Sequence, residues 1–308
     1  MDWILIILTI MGLCLFEVVS SIDNAIINAN VLKGMNKRSR RWFLTWGILL
    51  AVFLVRGAFP LSILWIANPQ LALSEVWGIF LSNDPRVHAS FEHSAPILLV
   101  AGGTFLILLF LRWLFLEQKD KSFRGEDIAS VHKSWFFPLA GFFLVFIVWH
   151  SLAVNPMMAF SAVVGSAVFF TITMLKTHAG EIQSTLHMRK NLKDPTKIAY
   201  LEVLDAMFSI DSVLGAFAFT LSVPLIIIGN GLGAIVVRKM TMMNLKRLKR
   251  YAYLKNGAMY SIFFLGIIMI MDSFGTRVPS WVSPVITFMV IGYFFRKSTL
   301  GHYANKAV

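Results

Sequence analysis

Residues 17–24 read EVVSSIDN and residues 205–212 read DAMFSIDS, and each stretch interrupts a long apolar run. In both, an acid is followed six positions later by an aspartate that ends a Ser-Ile-Asp tripeptide. An ionisable residue inside a bilayer costs at least about 2.5–3.5 kcal/mol on insertion scales, so it carries a functional hypothesis by default. The two stretches, called here the first and second motifs, therefore predict a pair of polar helices inside a membrane protein.

The composition of the chain supports a membrane location. Of its 308 residues, 57% are hydrophobic and 14% are charged, whereas soluble domains are typically about 45–50% apolar and about 25% charged. Soluble Rossmann, barrel and sandwich folds are therefore excluded. The lone cysteine, Cys14, rules out a disulfide framework. The first apolar run is longer than a signal peptide, so we expect a retained span.

Apolar runs near the roughly 20 residues needed for a helical crossing predict an all-α polytopic protein with about nine transmembrane helices. The predicted spans are Ile4–Leu32, Phe43–Ala67, Ser94–Phe115, Trp135–Val154, Met157–Leu175, Ile198–Leu221, Val223–Val237, Asn256–Met271 and Trp281–Phe295. They divide the chain into a first transmembrane repeat (1–115), cytoplasmic loops with two connecting transmembrane helices (116–197), and a second transmembrane repeat with a short cytoplasmic tail (198–308).

The net charge of +12 comes from basic residues that are distributed along the chain in the manner of a topology signal. Apart from Arg56, Arg86 and Arg277, every lysine and arginine falls beside alternate connections or in the tail. The positive-inside rule therefore predicts an outer N-terminus and a cytoplasmic C-terminus. The basic residues flank spans, so the expected partner of the chain is the lipid bilayer and not nucleic acid, and no protein partner is indicated.

A second match follows each motif, since Gly47 precedes Arg56 by nine positions and Gly229 precedes Arg238 by nine. Two matches in the same order indicate an internal duplication. The motif helices are five spans apart and must cross in opposite directions. This predicts two inverted-topology three-helix repeats plus connecting helices, a plan that places the substrate of a transporter near the midplane.

Helical geometry sorts the polar residues of the motifs into candidate ligands. The candidate ion ligands are Glu17, Asp23, Asn24, Glu202, Asp205 and Asp211, with supporting residues Ser20, Ser21, Asn28, Ser209, Ser212, Asn230, Arg56 and Arg238. Most share one stripe on their helix, but Asp23 and Asp211 lie about 120° off those stripes. Either the helices unwind at Ser-Ile-Asp, or each aspartate faces a second neighbour such as an arginine.

The candidate ligands carry only oxygen donors, which suits hard cations such as Mn²⁺, Mg²⁺ or Ca²⁺. The structural alternative is that the acids only pair with Arg56 and Arg238 to hold the bundle together. For Arg238 we favour extension to the cytoplasmic face over such pairing. The acids outnumber the arginines, which favours cation or proton binding. Asn230 lies in a Gly-Asn-Gly-Leu-Gly stretch, whose glycines either line the site or permit close helix packing.

The first motif, extended to Ala25, and the second, with Glu202, Phe208, Asn230 and Arg238, resemble the TerC/Alx family of integral membrane proteins. The resemblance covers about Ile4–Phe115 and Ile198–Phe295. The usual Asp-Ser-Ile-Pro of the family is replaced here by DSVL at residues 211–214, as in a divergent subfamily. The resemblance implies a bacterial inner-membrane protein of the wider LysE-type transporter group, linked to tellurium resistance and to manganese export. It also implies that the motif acids and Glu202 bind metal.

The sequence thus predicts a secondary transporter that exports a divalent cation, with Mn²⁺ favoured over Mg²⁺ or Ca²⁺ and protons as a candidate coupling ion. No permanently bound cofactor and no enzymatic activity are expected. Two alternatives stay open. One is a non-transporting scaffold of a metal or tellurite stress-response complex, working through the basic loop Lys246–Arg250; the other is an exporter of another small solute.

Overall fold

The computed structural model of the protein describes residues 3–47, 57–58, 85–117, 119, 124–188, 193–242 and 253–304. All regular elements within these ranges are helical, which confirms the predicted all-α class. Arg56, the Lys246–Arg250 loop and most of the predicted second span lie outside the described residues.

Eleven α-helices are described, in addition to a π-helical segment, Phe43–Gly47, and a 3₁₀ turn, Lys133–Trp135. The helices are α1 (Trp3–Ser20), α2 (Ile22–Lys33), α3 (Lys37–Trp42), α4 (Pro85–Leu116), α5 (Arg124–Val131), α6 (Phe136–Val154), α7 (Pro156–Met188), α8 (Asp194–Ala216), α9 (Val223–Met242), α10 (Leu254–Ser273) and α11 (Val282–Ala304).

Six of the described helices are long and apolar enough to cross a membrane, namely α1, α4, α6, α7, α9 and α10. The chain is therefore a membrane protein. Helices α8 and α11 have 23 residues each but more polar sequences, and α8 carries the acids of the second motif. The count of nine spans stays a prediction.

Two predicted connections contain more helix than the sequence indicated. Helix α7 continues to Met188, well beyond the predicted end at Leu175. The predicted loop 116–134 contains α5, which is held to α10 because the Asn256 amide donates to the buried Glu126 carboxylate at 2.9 Å. A buried acid bonded in this way fixes a short helix that could not persist alone.

The predicted first span is interrupted at one residue inside the first motif. Ser21 separates α1 from α2 and has φ −92° and ψ 7°, in the bridge region of backbone space. The hydrogen-bond ladder nevertheless continues across it, from Ser21 N–H to Glu17 and from Ala25 N–H to Ser21. Helix α8 has no such interruption at the second motif.

The two motif helices lie side by side and run in opposite directions. The Asn24 amide of α2 donates to Asp205 of α8 at 2.5 Å, and further along, Gly215 of α8 faces the Phe16 ring of α1. Increasing residue numbers in one helix thus meet decreasing numbers in the other. The first and second motifs therefore face each other in antiparallel register.

Helix α9 runs parallel to α1 and approaches it closely through glycines. A Cβ on Gly229 would lie 2.6 Å from Leu13 Cβ, and one on Gly233 would lie 2.6 Å from Glu17 Cβ. Small residues spaced four apart let helix backbones approach closely in membrane proteins. The glycines of this stretch therefore serve close packing, and they place Asn230 next to α1.

Helices α4, α7 and α10 also pack side by side, in both parallel and antiparallel pairs. Contacts along α4 show that α7 runs parallel to it and α10 antiparallel to it. These contacts join Ala101 with Gly165, Phe105 with Phe169, Gly103 with Ile270 and Phe110 with Phe263. The main apolar core lies among these helices, α1 and α8.

The closest of these contacts generates a prediction about stability. A Cβ on Gly165 would lie 2.9 Å and 3.0 Å from the Ala101 carbonyl carbon and Cα, which belong to the backbone of α4. We expect Gly165→Ala to lower the free energy of unfolding by about 1–3 kcal/mol through overpacking. The measurement is the thermal unfolding midpoint of the detergent-solubilised protein.

The matched control for Gly165→Ala is Gly141→Ala in α6, where an added Cβ meets nothing within 4 Å. We expect this control to leave the midpoint unchanged or to raise it, because alanine is the better helix former by about 0.5–1 kcal/mol. Equal midpoints for the two variants would contradict the close α4–α7 approach.

The first turn of α8 anchors the connection between α2 and α3. The Asn36 backbone N–H donates to Asp194 at 3.1 Å, and Lys197 lies 3.9 Å from the same carboxylate. Together with a hydrogen bond from Ser39, the Asn36 N–H holds the pKa of Asp194 below its ordinary value. The contact therefore joins the ends of the two motif helices.

The lowered pKa predicts a loss of stability in acid. A carboxyl whose folded-state pKa is depressed stabilises the protein above its unfolded pKa of about 3.9, and the effect is lost as the pH falls through the folded value. We expect Asp194→Asn to reduce the drop in thermal midpoint between about pH 6 and pH 3. The control is Asp127→Asn on the exposed side of α5, and identical pH profiles for both variants would contradict the prediction.

Candidate functional site

The polar stripe of the first motif faces the interior of the bundle. Glu17, Ser21, Asn24 and Asn28 are all at least 97% buried. The Ser21 hydroxyl donates to the Glu17 carboxylate at 2.7 Å, so the serine beside the helix interruption fixes this acid. The predicted stripe is thus confirmed for these four side chains, while Ser20 is only half-buried and its hydroxyl donates to the backbone of Glu17.

Asp205 is where the two motifs touch, and it binds two donors at once. Besides accepting from Asn24, it lies 3.4 Å from the Arg238 guanidinium, which also donates to the Phe43 carbonyl at 3.4 Å. Arg238 lies 3.9 Å above the Phe43 ring and is 5% exposed. The expectation that Arg238 extends to the cytoplasmic face is therefore wrong, because a carboxylate and an aromatic ring hold it inside the bundle.

Glu202 lies one turn before Asp205 on α8 and interacts electrostatically with both Arg238 and Asp205. Its Oε1 atom packs against Gly47, where a Cβ would overlap it. Because the two helices are antiparallel, the position four residues after Asn24 in α2 lies level with the position about four residues before Asp205 in α8. Asn28 and Glu202 are thus at the same height in the bundle.

Several oxygen atoms of these residues are buried but accept no hydrogen bond from the described part of the chain. They are Glu202 Oε1, Asn24 Oδ1, Asn28 Oδ1 and Asp211 Oδ1. A buried acceptor that lacks a donor is costly, by about 1–3 kcal/mol. All four are oxygen atoms of the kind that hard cations take as ligands.

Asp23 lies outside this interior group. Its carboxylate is 2.7 Å from Lys255 at the start of α10, and the Asp23 side chain is 41% exposed. The same lysine also pairs with Glu117 at the end of α4. Asp23 therefore links α2 to α4 and α10 through one shared ammonium.

Asp211 also pairs with a lysine, in a more buried setting. Lys176 of α7 lies 2.6 Å from Asp211 Oδ2, and the two side chains are 12% and 13% exposed. The ammonium also lies 4.8 Å from the centre of the Phe208 ring. Of the two alternatives for the aspartates, the structure shows a second neighbour for each, although that neighbour is lysine instead of arginine, with a local helix interruption at the first motif only.

The remaining described supporting residues, Ser209, Ser212 and Asn230, are buried. Ser212 donates to the Ser209 carbonyl of its own helix, and both serines are at most 1% exposed. Asn230 is fully buried on α9. These residues line the interior without contributing an ion pair.

The six predicted ligands thus fall into two sets. Glu17, Asn24, Glu202 and Asp205 share the interior between α1, α2, α8 and α9, whereas Asp23 and Asp211 pair with lysines. In the described ranges, no three Asp, Glu, His or Cys side chains come together closely enough to hold a metal ion. A cation bound in the interior would therefore need amide or carbonyl oxygens in addition to carboxylates.

Sequence reasoning missed the two lysines that pair with the motif aspartates. Lys176 and Lys255 had the spacing of ordinary loop charges at span ends, and no pattern distinguished them from their neighbours. Their partners follow only from how α7 and α10 pack against the motif helices. Phe43, whose ring lies against Arg238, carried no signal either, and Phe208 was noted only as part of the second motif.

Comparison with known proteins gives a family but no function. Residues 22–305 match the family described as "Protein of unknown function (DUF475)". No curated protein and no solved structure matches the chain. Since the match spans nearly all of the 308 residues, the chain belongs to the DUF475 family.

Proposed function

We propose that this protein is a secondary transporter that exports a divalent metal cation, with Mn²⁺ favoured, from the cytoplasm. The cation would bind between the first and second motifs, in the interior formed by α1, α2, α8 and α9. The proposal includes nine spans, two inverted repeats, an outer N-terminus and a bacterial inner-membrane location. The TerC/Alx resemblance supports it, and on this proposal the protein is not an enzyme.

The observation that carries the proposal is the contact between the two motifs. Asn24 and Asp205 occupy neighbouring positions of antiparallel helices, so the polar faces of both motifs meet inside an apolar bundle. Buried polar helices of opposite direction are the arrangement from which many transporters build their substrate site. A purely structural bundle would not need acids there, because acids inside a membrane are costly.

The charge of the interior suits a divalent ion. Among the described residues, three carboxylates, those of Glu17, Glu202 and Asp205, share this interior with one buried guanidinium, that of Arg238. If all four groups are ionised, two negative charges are in excess. A divalent cation would neutralise this excess, and the carboxylate and amide oxygens match the ligand preference of Mn²⁺ and Mg²⁺.

The helix directions support the proposed topology. Helix α1 runs parallel to α9, and α4 runs parallel to α7 but antiparallel to α10, as alternating crossings of nine spans require. Apart from Arg56, Arg86 and Arg277, the basic residues then fall on one side of the membrane, which would be the cytoplasm. Rocking of one repeat against the other would alternate access to the ion, and a carboxylate that takes up a proton when the ion leaves would couple export to the proton gradient.

The test is Mn²⁺ flux through the purified protein in proteoliposomes, with Mg²⁺ and Ca²⁺ as competitors. We expect Asp205→Asn to lower the flux at least about tenfold, since even supporting partners of a metal site are typically worth 10–100-fold. Asparagine keeps the shape of the side chain, and the variant should stay monodisperse in detergent.

The control for Asp205→Asn is Asp127→Asn, the same chemical change at an exposed position of α5, which should transport like the wild type. Full flux through Asp205→Asn would contradict a site between the motifs. Absence of Mn²⁺ flux in well-folded wild-type protein, with a proton gradient imposed, would instead favour another solute or the scaffold role.

A further inference from the structure

The ion pair between Lys176 and Asp211 places a cation of the protein itself at a motif acid. The ammonium lies 2.6 Å from Asp211 Oδ2 and over the Phe208 ring. Asp211 is 9% exposed, and its Oδ1 atom is buried without a hydrogen-bond donor among the described residues. One oxygen of this carboxylate therefore accepts from the Lys176 ammonium, while the other has no hydrogen-bond donor among the described residues.

The origin of this lysine matters, because α7 lies outside both proposed repeats. In alternating access, helices of the repeats move relative to their surroundings, so a charge on α7 can engage α8 in one state and release it in another. Lysine suits such a role, since its ammonium is a compact charge on a flexible four-carbon stem. The aromatic face of Phe208 offers a further favourable surface for the ammonium.

We infer that Asp211 is a further site for the transported divalent cation, on the same helix α8 as Asp205, and that Lys176 is a built-in counter-ion that replaces the cation there when the carrier is empty. This inference rests on the proposed function. With the cation bound, Lys176 is displaced from Asp211; once the cation leaves, the ammonium returns and neutralises the carboxylate. The empty carrier then reorients without a bare buried charge, which would otherwise be costly to keep in the bundle.

If Lys176 is the counter-ion, its removal should affect net export and exchange differently, whereas loss of a merely structural salt bridge should affect both alike. Net export requires the empty carrier to return, whereas exchange of Mn²⁺ on one side for radioactive Mn²⁺ on the other requires only loaded carriers to move. Loss of the counter-ion should therefore block the first process and spare the second.

The experiment compares net Mn²⁺ flux and Mn²⁺/⁵⁴Mn²⁺ exchange in the same proteoliposomes for wild type and Lys176→Gln. We expect Lys176→Gln to lose net flux at least about tenfold and to keep exchange within about twofold of the wild type. Lys176→Arg, which keeps a positive charge, should restore part of the net flux. Lys197→Gln, which removes a lysine paired with Asp194 in the first turn of α8, serves as the matched control and should leave both rates unchanged.

The outcomes distinguish failure of this inference from failure of the proposed function. Unchanged net flux in Lys176→Gln overturns the inference alone, as does equal loss of net flux and exchange. Absence of both processes in the wild type overturns the proposed manganese transport, and the inference with it.

A second measurement uses only the wild-type protein and so does not depend on the folding of a variant. Reductive methylation with formaldehyde, read out by peptide mass spectrometry, reports how available the Lys176 amine is. Displacement by Mn²⁺ should speed modification of Lys176 while leaving that of Lys197 unchanged. An unchanged rate at Lys176 under Mn²⁺ concentrations that saturate exchange overturns the inference.

Discussion

Burial of negative charge inside an apolar bundle is the constraint on which the rest of this structure depends. Glu17 and Asp205 are nearly inaccessible to solvent, and a buried carboxylate is tolerated only when it is paired and hydrogen-bonded. The helices around them are arranged accordingly: α9 supplies Arg238, α2 supplies Asn24, and Ser21 bonds Glu17. The packing of the centre of the bundle is thus decided by acids, although most of its surface is apolar.

Much of the fold could be predicted from the sequence because hydrophobic runs and basic flanks are local signals. The all-α class and the positions of most spans follow from run length alone, and the burial of Asn24 and Asn28 follows from helical periodicity. The sequence does not predict that α7 continues beyond Leu175, because the helical residues that follow are polar and the apolar run ends there. The interruption at Ser21 was left open because serine is compatible with both a regular helix and a break.

The partners of the acids could not be predicted, since they belong to helices far away in the sequence. The sequence favours extension of Arg238 to the cytoplasmic face, but the Phe43 carbonyl and ring hold it against Asp205. Lys176 and Lys255 looked like ordinary topology signals. Which basic side chain reaches which acid depends on the rotation and height of neighbouring helices, and these are set by close packing at glycines such as Gly233.

The length of α7 has a mechanical consequence. Its 33 residues span about 50 Å at 1.5 Å per residue, whereas the hydrocarbon core of a bilayer is about 30 Å thick. About 18 Å of this rod lies beyond Lys176 towards Met188. A tilt of so long a helix displaces the Lys176 ammonium relative to Asp211, so the angle at which α7 crosses the bilayer affects this ion pair.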